Sequence, residues 1–303
     1  MTRFAAIDVG TNSVRVLIAD VEGPALLEVE RELVITRLGE GVDASRRLRA
    51  EPVRRTTDAI AAYHARATEL GAETIRIAAT SAVRDATNRH AFLHGVRTRT
   101  GDDLEVLSGD DEARLSFLGA TAELSDGAPY LVVDIGGGST EFVVGDHSVE
   151  AAISTNIGSV RLTERHIRHD PPERVEMEAL RREAAATVSR AKDAVGTSAR
   201  TLVGLAGTIT TVGAITLGLA GYDRAAIHHA RLGRDDVGKV SATLASMTSE
   251  QRRSLPAMPR GREDVIVAGV EILLAAMDGF GFNDVLVSEA DILDGLVREM
   301  ASR

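Results

Sequence analysis

One motif occurs twice in this chain, and it constrains the possible folds more than any other feature. Residues 4–19 read FAAIDVGTNSVRVLIA, and residues 130–145 read YLVVDIGGGSTEFVVG. Without a gap, Asp8 aligns with Asp134 and Ser13 aligns with Ser139. Apolar, β-branched runs on both sides of a short glycine turn are typical of paired strands. The repetition therefore predicts two related domains.

The composition of the two turns indicates what they bind. Successive backbone N–H groups of a glycine-rich turn form a cradle for an oxyanion, and a carboxylate at the strand end can hold a metal ion or its waters. An ordinary hairpin explains one copy, because its turn needs glycine for a positive φ. It explains two copies poorly when each has Asp two residues before Gly and Ser three after it. We expect the two turns to hold a phosphate chain and its metal from both sides.

The rest of the chain alternates strand and helix patterns, which favours an α/β architecture. The polar segment SDGAP at 125–129 separates the two halves. We predict strands at 4–9, 14–19, 74–80, 104–109, 130–135, 141–145, 148–153, 201–206 and 284–288. We predict helices at 52–70, 81–97, 110–124, 158–168, 173–195 and 290–301.

Composition excludes several classes of protein. The chain has no cysteine, so it has neither disulfides, thiolate metal sites nor a catalytic thiol. Its net charge of −10 argues against a nucleic-acid partner. No basic, apolar leader opens the sequence, and the uncharged stretch 201–222, rich in Gly and Thr, reads as strand, turn and helix. We expect a cytoplasmic protein that has no membrane partner.

Other phosphate-binding motifs fit less well. A dinucleotide fingerprint fails because Glu141 stands where the third glycine belongs, and the Walker A near-match at 233–240 lacks its Ser or Thr. In GLAGTITTVGA (204–214), the amides of Gly207 and Thr208 would begin a helix and form an anion site, although a plain strand–helix connection explains the pattern equally well.

The segment SGDDEAR (108–114) has more acid than a helix start needs. Ser108 would cap the helix, and acids favour its first turn. A glutamate there could deprotonate a water as a general base. The histidine pairs in RHIRHD and at 228–229, and each of Arg84, Arg114, Arg161 and Arg262 taken singly, read as ordinary surface or ion-pair residues.

Taken together, seven ordered motifs resemble the exopolyphosphatase / guanosine pentaphosphate phosphohydrolase family of the actin-like superfamily. They are AAIDVGTNSVRVLIAD, ATSAVRDATN, VLSGDDEARLSFLGA, LVVDIGGGSTEFVVG, NIGSVRLTERH, VGLAGTITTVGA and VSEADILDG, and the resemblance covers essentially the whole chain. It looks most like the short, two-domain actinobacterial form. The resemblance implies two ribonuclease-H-like (actin-like) domains with mixed sheets flanked by helices and a cleft between them. They would comprise residues 1–124 with a returning C-terminal helix at about 290–303, and residues 125–289.

The resemblance also implies roles for individual residues. Glu112 matches the proposed catalytic base, and Asp134 and Glu141 match acids associated with magnesium and the attacking water. Asp8 would be a further metal-shell acid, and the metal would be Mg²⁺, with Mn²⁺ as an alternative. The residues implied to bind phosphate are Thr11, Asn12, Ser13, Arg84, Gly136, Gly137, Gly138, Ser139, Gly207 and Thr208.

These assignments predict a Mg²⁺-dependent hydrolase, expected to be a homodimer, that releases terminal phosphate from inorganic polyphosphate. Guanosine pentaphosphate is the alternative substrate. An actin-like nucleotide switch or kinase, and a polyphosphate sensor with little catalysis, are further alternatives. Longer relatives have arginine where this chain has Asp294, and they carry a helical extension that this chain lacks. Both differences argue against high processivity and favour short to medium chains.

Overall fold

The computed structural model describes residues 1–303 and divides into two compact units. Unit 1 comprises Met1–Ala122 and Ala290–Arg303, and unit 2 comprises Glu123–Glu289. Each unit contains one mixed sheet flanked by helices, which confirms the predicted α/β fold class. No helix combines the length and apolar character that a membrane span requires.

The sheet of unit 1 has five strands in the order β3-β2-β1-β4-β5. In chain order they are β1 (Thr2–Val9), β2 (Ser13–Glu22), β3 (Ala25–Ile35), β4 (Thr74–Ala79) and β5 (Leu104–Val106). β1, β2 and β3 pair antiparallel, whereas β4 pairs parallel with both β1 and β5. The repeated motif of residues 4–19 is therefore a hairpin whose first strand is central.

Helices cover both faces of this sheet, because alternate residues of β1 are buried on opposite sides. Ala5 and Ile7 belong to one apolar cluster and Phe4 and Ala6 to another. The helices of the first segment are α1 (Val42–Ser45), α2 (Ala50–Glu69), α3 (Ser81–Asp85), α4 (Arg89–Thr100) and α5 (Gly109–Thr121). The single helix predicted at 81–97 is thus wrong, since the chain leaves helical geometry between α3 and α4.

The sheet of unit 2 has six strands in the order β10-β11-β9-β6-β7-β8. They are β6 (Tyr130–Ile135), β7 (Thr140–Gly145), β8 (Val149–Thr155), β9 (Thr201–Leu205), β10 (Arg231–Gly233) and β11 (Asp284–Val287). β6, β7 and β8 pair antiparallel, and β9 pairs parallel with β6 and β11. Unit 2 therefore repeats the arrangement of unit 1 and adds β10.

The helices of unit 2 surround a large apolar core. They are α6 (Ser159–His166), α7 (Arg174–Val195), α8 (Ala206–Thr216), α9 (Arg224–Ile227), α10 (Arg234–Ser246), α11 (Ser249–Arg253) and α12 (Ile266–Phe280). The uncharged stretch 201–222 forms β9, α8 and the start of the following loop, as its glycines and threonines indicate.

The final helix, α13 (Ile292–Ala301), follows β11 but packs in unit 1. Its apolar side chains Leu293, Leu296 and Val297 are buried with Phe4 and Leu115. Asp291 caps the helix by accepting from the Leu293 N–H, and Asp294 accepts from the Asp291 N–H in return. The chain thus enters unit 2 once and returns to unit 1 to end.

Candidate active site

In both units, parallel strands end at one edge of the sheet and place the predicted residues there. In unit 1, Asp8 pairs with Ala78 and Ala79 pairs with Val106, so the segments after β1, β4 and β5 are neighbours. In unit 2, the segments after β6, β9 and β11 are neighbours for the same reason. Open α/β sheets bind ligands at the carboxyl ends of their strands.

The turn of unit 1 joins β1 to β2. The Gly10 N–H donates to Ser13 O at 2.9 Å, which closes a tight turn. Asn12 O accepts from the N–H groups of Thr36 and Arg37, and Thr11 Oγ1 lies 2.9 Å from Ser81 Oγ at the start of α3. The carbonyls of Thr11 and Asn12 are thus tied back into the unit, as in turns that direct backbone N–H groups towards an anion.

Glu112 lies in the first turn of α5 and is buried. Ser108 caps this helix by accepting from the Asp111 N–H at 3.1 Å. Arg84 in α3 donates to Glu112 Oε2 at 2.9 Å and to Leu107 O at 3.0 Å. The structure therefore brings together two residues that the sequence places in separate motifs.

Asp8, at the end of β1, is buried in a network of charges. Arg15 donates to Asp8 Oδ2 through Nε at 3.0 Å and Nη2 at 2.7 Å, and its Nη1 donates to Asp291. Burial raises the pKa of Asp8, Arg15 opposes that increase, and Asp291 adds to it. Asp8 Oδ1 is buried without a hydrogen-bond partner.

The turn of unit 2 repeats the closing hydrogen bond of the first, since the Gly136 N–H donates to Ser139 O at 3.0 Å. The start of α6 binds its carbonyls: Gly136 O accepts from the Ser159 N–H, and Gly137 O accepts from two further N–H groups. Arg161 Nε donates to Gly138 O at 2.6 Å. Three consecutive carbonyls are thus turned inwards, which leaves N–H groups for a ligand.

Gly158 allows the start of α6 to pack against the turn of residues 136–139. A Cβ atom there would lie 2.5 Å from the carbonyl carbon and oxygen of Gly137, closer than real Cβ atoms approach a backbone. α6 can therefore hold the turn only because residue 158 has no side chain.

Asp134 and Glu141 lie directly opposite each other on β6 and β7 and are both buried. Opposite residues of an antiparallel pair project from the same face of the sheet. Glu141 Oε1 accepts from Ser154 Oγ at 2.7 Å. Two buried carboxylates on one face are an arrangement that a cation stabilises.

Gly207 and Thr208 lie in the first turn of α8, after β9. The preceding Ala206 has φ 68°, a left-handed conformation that costs a non-glycine residue on the order of 1 kcal/mol and recurs at functional sites. The Arg262 guanidinium packs on Gly207, where a Cβ atom would lie 1.4 Å from Arg262 Nη1. The N-terminus of α8 and a guanidinium therefore meet at one point.

Two arginines differ from the sequence-based expectation. Arg161 is buried against the turn rather than at the surface, and Arg262 lies on the first turn of α8. Arg114 is the ordinary ion-pair residue predicted, since it donates to Glu299 at 2.5 Å. The sequence places Arg161 three residues after Gly158, but this position indicates a role for Arg161 only once the fold is known.

The histidine pairs are also less isolated than predicted. Ligand atoms of Glu123, His228 and His229 lie within 4.8 Å of one another. However, His228 Nδ1 accepts from the Glu289 N–H at 3.0 Å, which places the proton on Nε2, where it faces Glu123 at 3.2 Å. In this tautomer Nε2 carries a proton and donates to Glu123, so neither ring nitrogen of His228 offers a lone pair to a metal ion. His169 binds Glu176, as a surface ion pair does.

Each unit thus offers a turn of backbone N–H groups beside buried carboxylates. Such an arrangement can bind a phosphoryl group and position an acid or base against it.

Several known proteins are similar to this chain over nearly its whole length. Residues 17–303 match the Ppx/GppA phosphatase family. The chain is 45% identical to Exopolyphosphatase 2 of Mycobacterium tuberculosis over 99% of both chains. A crystal structure of an exopolyphosphatase-like protein superposes with a TM-score of 0.94 at 36% identity, covering 99% of this chain and 97% of that one.

A more distant relative has a different name. The guanosine-5'-triphosphate,3'-diphosphate pyrophosphatase of Aeromonas hydrophila is 25% identical over 97% of this chain and 58% of its own length. The family match, the full-length similarity and the shared fold lead to one conclusion: this chain belongs to the Ppx/GppA phosphatase family.

Proposed function

We propose that the chain is an exopolyphosphatase that releases terminal orthophosphate from inorganic polyphosphate of short to medium length. The observation that carries this proposal is the pairing of a buried glutamate, Glu112, with Arg84 at the strand edge that also holds the turn of residues 10–13. The full-length similarity to a protein named Exopolyphosphatase 2 supports the choice of substrate.

In the proposed mechanism, water attacks the terminal phosphorus while Glu112 accepts its proton. The bond between that phosphorus and the bridging oxygen breaks, and the shortened polyphosphate leaves with the bridging oxygen. The backbone N–H groups of Gly137, Gly138 and Ser139, with those of Thr11, Asn12 and Ser13, bind the phosphoryl oxygens. Gly207 and Thr208, at the N-terminus of α8, bind a further phosphate. Arg84 positions Glu112 and contributes positive charge, so that catalysis rests on positioning and electrostatic stabilisation.

We propose Mg²⁺ as the cofactor, with Mn²⁺ as an alternative, and Asp8, Asp134 and Glu141 as the residues that hold the ion or its waters. The donor set fits a hard cation, because all three are buried carboxylates and Asp8 Oδ1 has no hydrogen-bond partner. When bound, the ion would neutralise phosphoryl charge, which matters for a chain of net charge −10 acting on a polyanion.

The test is phosphate release from polyphosphates of defined length, guanosine pentaphosphate and ATP, each with and without Mg²⁺. We expect Mg²⁺-dependent release from polyphosphate. If ATP were the only one of these substrates to be hydrolysed, the proposal would be overturned in favour of an actin-like nucleotide enzyme. Tight binding of polyphosphate without release of phosphate would indicate a sensor. Guanosine pentaphosphate is the second candidate substrate, which the relative from Aeromonas hydrophila favours.

We also propose that the protein is a homodimer that pairs through β3. This strand is the outer edge of its sheet, has neither Pro nor Lys, and exposes Leu27, Val29 and Leu33. Such an edge offers unpaired backbone groups to another strand. Antiparallel pairing of two copies about Arg31 would set Val29 opposite Leu33. Light scattering should give the dimer mass for the wild type and the monomer mass for Val29→Lys, whereas Val175→Lys, an exposed site elsewhere, should remain dimeric.

A further inference from the structure

Tyr222 is an unusual residue on this surface. The chain has nine aromatic residues, six Phe and three Tyr, and Tyr222 is the only one that is exposed, at 48%. It lies in the loop between α8 and α9, wholly within unit 2. A lone exposed aromatic ring in a chain so poor in aromatics calls for a functional explanation.

The hydroxyl end of Tyr222 is fixed. Its OH donates to Glu289 Oε1, and Arg224 Nε lies 3.6 Å from Glu289 Oε2. The Glu289 N–H in turn donates to His228 Nδ1. Burial of the hydroxyl, together with the Glu289 carboxylate, raises the pKa of Tyr222, so it is a neutral phenol at physiological pH. The ring is therefore held at one end while much of its surface faces solvent.

The hydroxyl of Tyr222 is near the start of α8. Thr210, which follows Gly207 by three residues and so shares its face of α8, is near enough to lower the pKa of the Tyr222 hydroxyl. Arg262, packed on Gly207, is close enough to act electrostatically on the Tyr222 hydroxyl. The Arg262 guanidinium and the Tyr222 hydroxyl are thus both near the start of α8.

The same sheet edge links Tyr222 to the turn of residues 136–139. The turn follows β6, Gly207 follows β9, and Glu289 follows β11, and these three strands are parallel neighbours. Two interstrand spacings separate the turn from Glu289, or about 10 Å. A short phosphate chain with its ribose separates a terminal phosphate from a base on this scale.

We propose that Tyr222 is a base-stacking platform and that it selects nucleosides carrying a phosphate chain over linear polyphosphate. The terminal phosphoryl group would lie at the turn of residues 136–139, inner phosphates near Arg262 and the start of α8, and the base against the Tyr222 ring. Linear polyphosphate has no base and gains nothing from the ring. This inference rests on the proposed function only in placing the phosphate chain at the same turn.

The experiment compares guanosine pentaphosphate with a linear polyphosphate on wild type, Tyr222→Ala and Tyr222→Phe. Removing a stacked ring lowers affinity on the order of 5- to 150-fold. We expect Tyr222→Ala to lower kcat/KM for guanosine pentaphosphate relative to polyphosphate by that factor, mainly through KM. Tyr222→Phe, which keeps the ring, should retain most of the preference, and Leu217→Ala, an exposed control at the start of the same loop, should leave it unchanged.

Titration calorimetry with guanosine tetraphosphate, and with inorganic triphosphate as the base-free probe, gives the same comparison without turnover. The inference is overturned if Tyr222→Ala weakens both ligands equally or neither, or if the wild type does not distinguish them. None of these results affects polyphosphate hydrolysis by the wild type. A wild type that releases no phosphate from polyphosphate would instead overturn the proposed function.

Discussion

Arg84 Nη1 donates to Glu112 Oε2 at 2.9 Å, and the same nitrogen donates to Leu107 O, just after β5. One guanidinium thus ties a carboxylate in the first turn of α5 to the end of β5, the outer parallel strand of the sheet. Both partners are largely shielded from solvent. A general base must be held in a fixed orientation towards the proton it accepts, and this contact provides that orientation.

Replacing Glu112 by Gln should remove the base and leave the shape of the site. Because general-base catalysis contributes on the order of 10²- to 10⁴-fold, we expect kcat for phosphate release from polyphosphate to fall within that range. Stopped-time phosphate assays would measure it, with thermal melting to confirm folding. Asp110→Asn changes an exposed acid in the same helical turn and serves as control. Activity of Glu112→Gln within threefold of wild type would contradict the assignment.

Much of the fold was predictable because local patterns and the repeated motif agree. The strands of both hairpins overlap their predicted positions, with β2 running three residues further, and the starts of α5, α6 and α7 lie within one residue of prediction. β3 was missed: its segment ALLEVERELVI mixes charged and apolar residues, and it is a strand because Gly23-Pro24 turns it back onto β2. β10 was missed because three residues carry too little pattern.

The positions of several candidate residues were predictable from local pattern: Asp8 and Asp134 lie at strand ends and Glu112 in the first turn of a helix, while their roles stay predictions. A residue's role was not predictable where it depends on distant contacts. Arg15 donates to Asp8 and also to Asp291, which lies 276 residues away in the sequence. Gly158 and Arg161 matter only because α6 packs on the turn of residues 136–139. Tertiary packing decides these roles.

Asp8→Asn should weaken the binding of Mg²⁺. A ligand that binds only the folded state stabilises it by about 2.7 kcal/mol at a hundred times its Kd. We therefore expect Mg²⁺ to raise the melting temperature of the wild type, a chelator to reverse that rise, and Asp8→Asn to reduce it. Asp20→Asn, which alters an acid paired with Arg3 in the same sheet, should respond to Mg²⁺ like the wild type. An unchanged response of Asp8→Asn would remove Asp8 from the metal site.

Gly158→Ala should displace the turn of residues 136–139. The new Cβ atom would overlap the Gly137 backbone, and overpacking of this kind costs about 1–3 kcal/mol. We expect lower stability in urea unfolding and a higher KM for polyphosphate, because the N–H groups of the turn move. Gly95→Ala is the matched control: its Cβ atom meets nothing within 4 Å, and alanine favours the helix α4. If both variants behave alike, the close approach at Gly158 is unimportant.

Glu176 gives a test of stability that is independent of the active site. Burial alone would raise its pKa, but N–H groups of Glu173 and Arg168 and the His169 ring donate to its carboxylate, and together they lower the pKa of Glu176 to about 2. A carboxyl group with a lowered pKa contributes stability that is present above its ordinary pKa of 4.5 and is lost as the pH falls towards 2.

We therefore expect Glu176→Gln to be less stable than the wild type at pH 7 by about 1–2 kcal/mol, a value reduced for solvent screening near the surface. The difference should shrink below pH 4.5 and vanish near pH 2, because the protonated wild-type side chain then resembles glutamine. Urea unfolding at several pH values measures this. Glu178→Gln, an exposed neighbour on α7 paired with Arg174, should differ little from the wild type at any pH. A Glu176→Gln penalty that persists unchanged at pH 3 would show that packing, rather than charge, holds the start of α7.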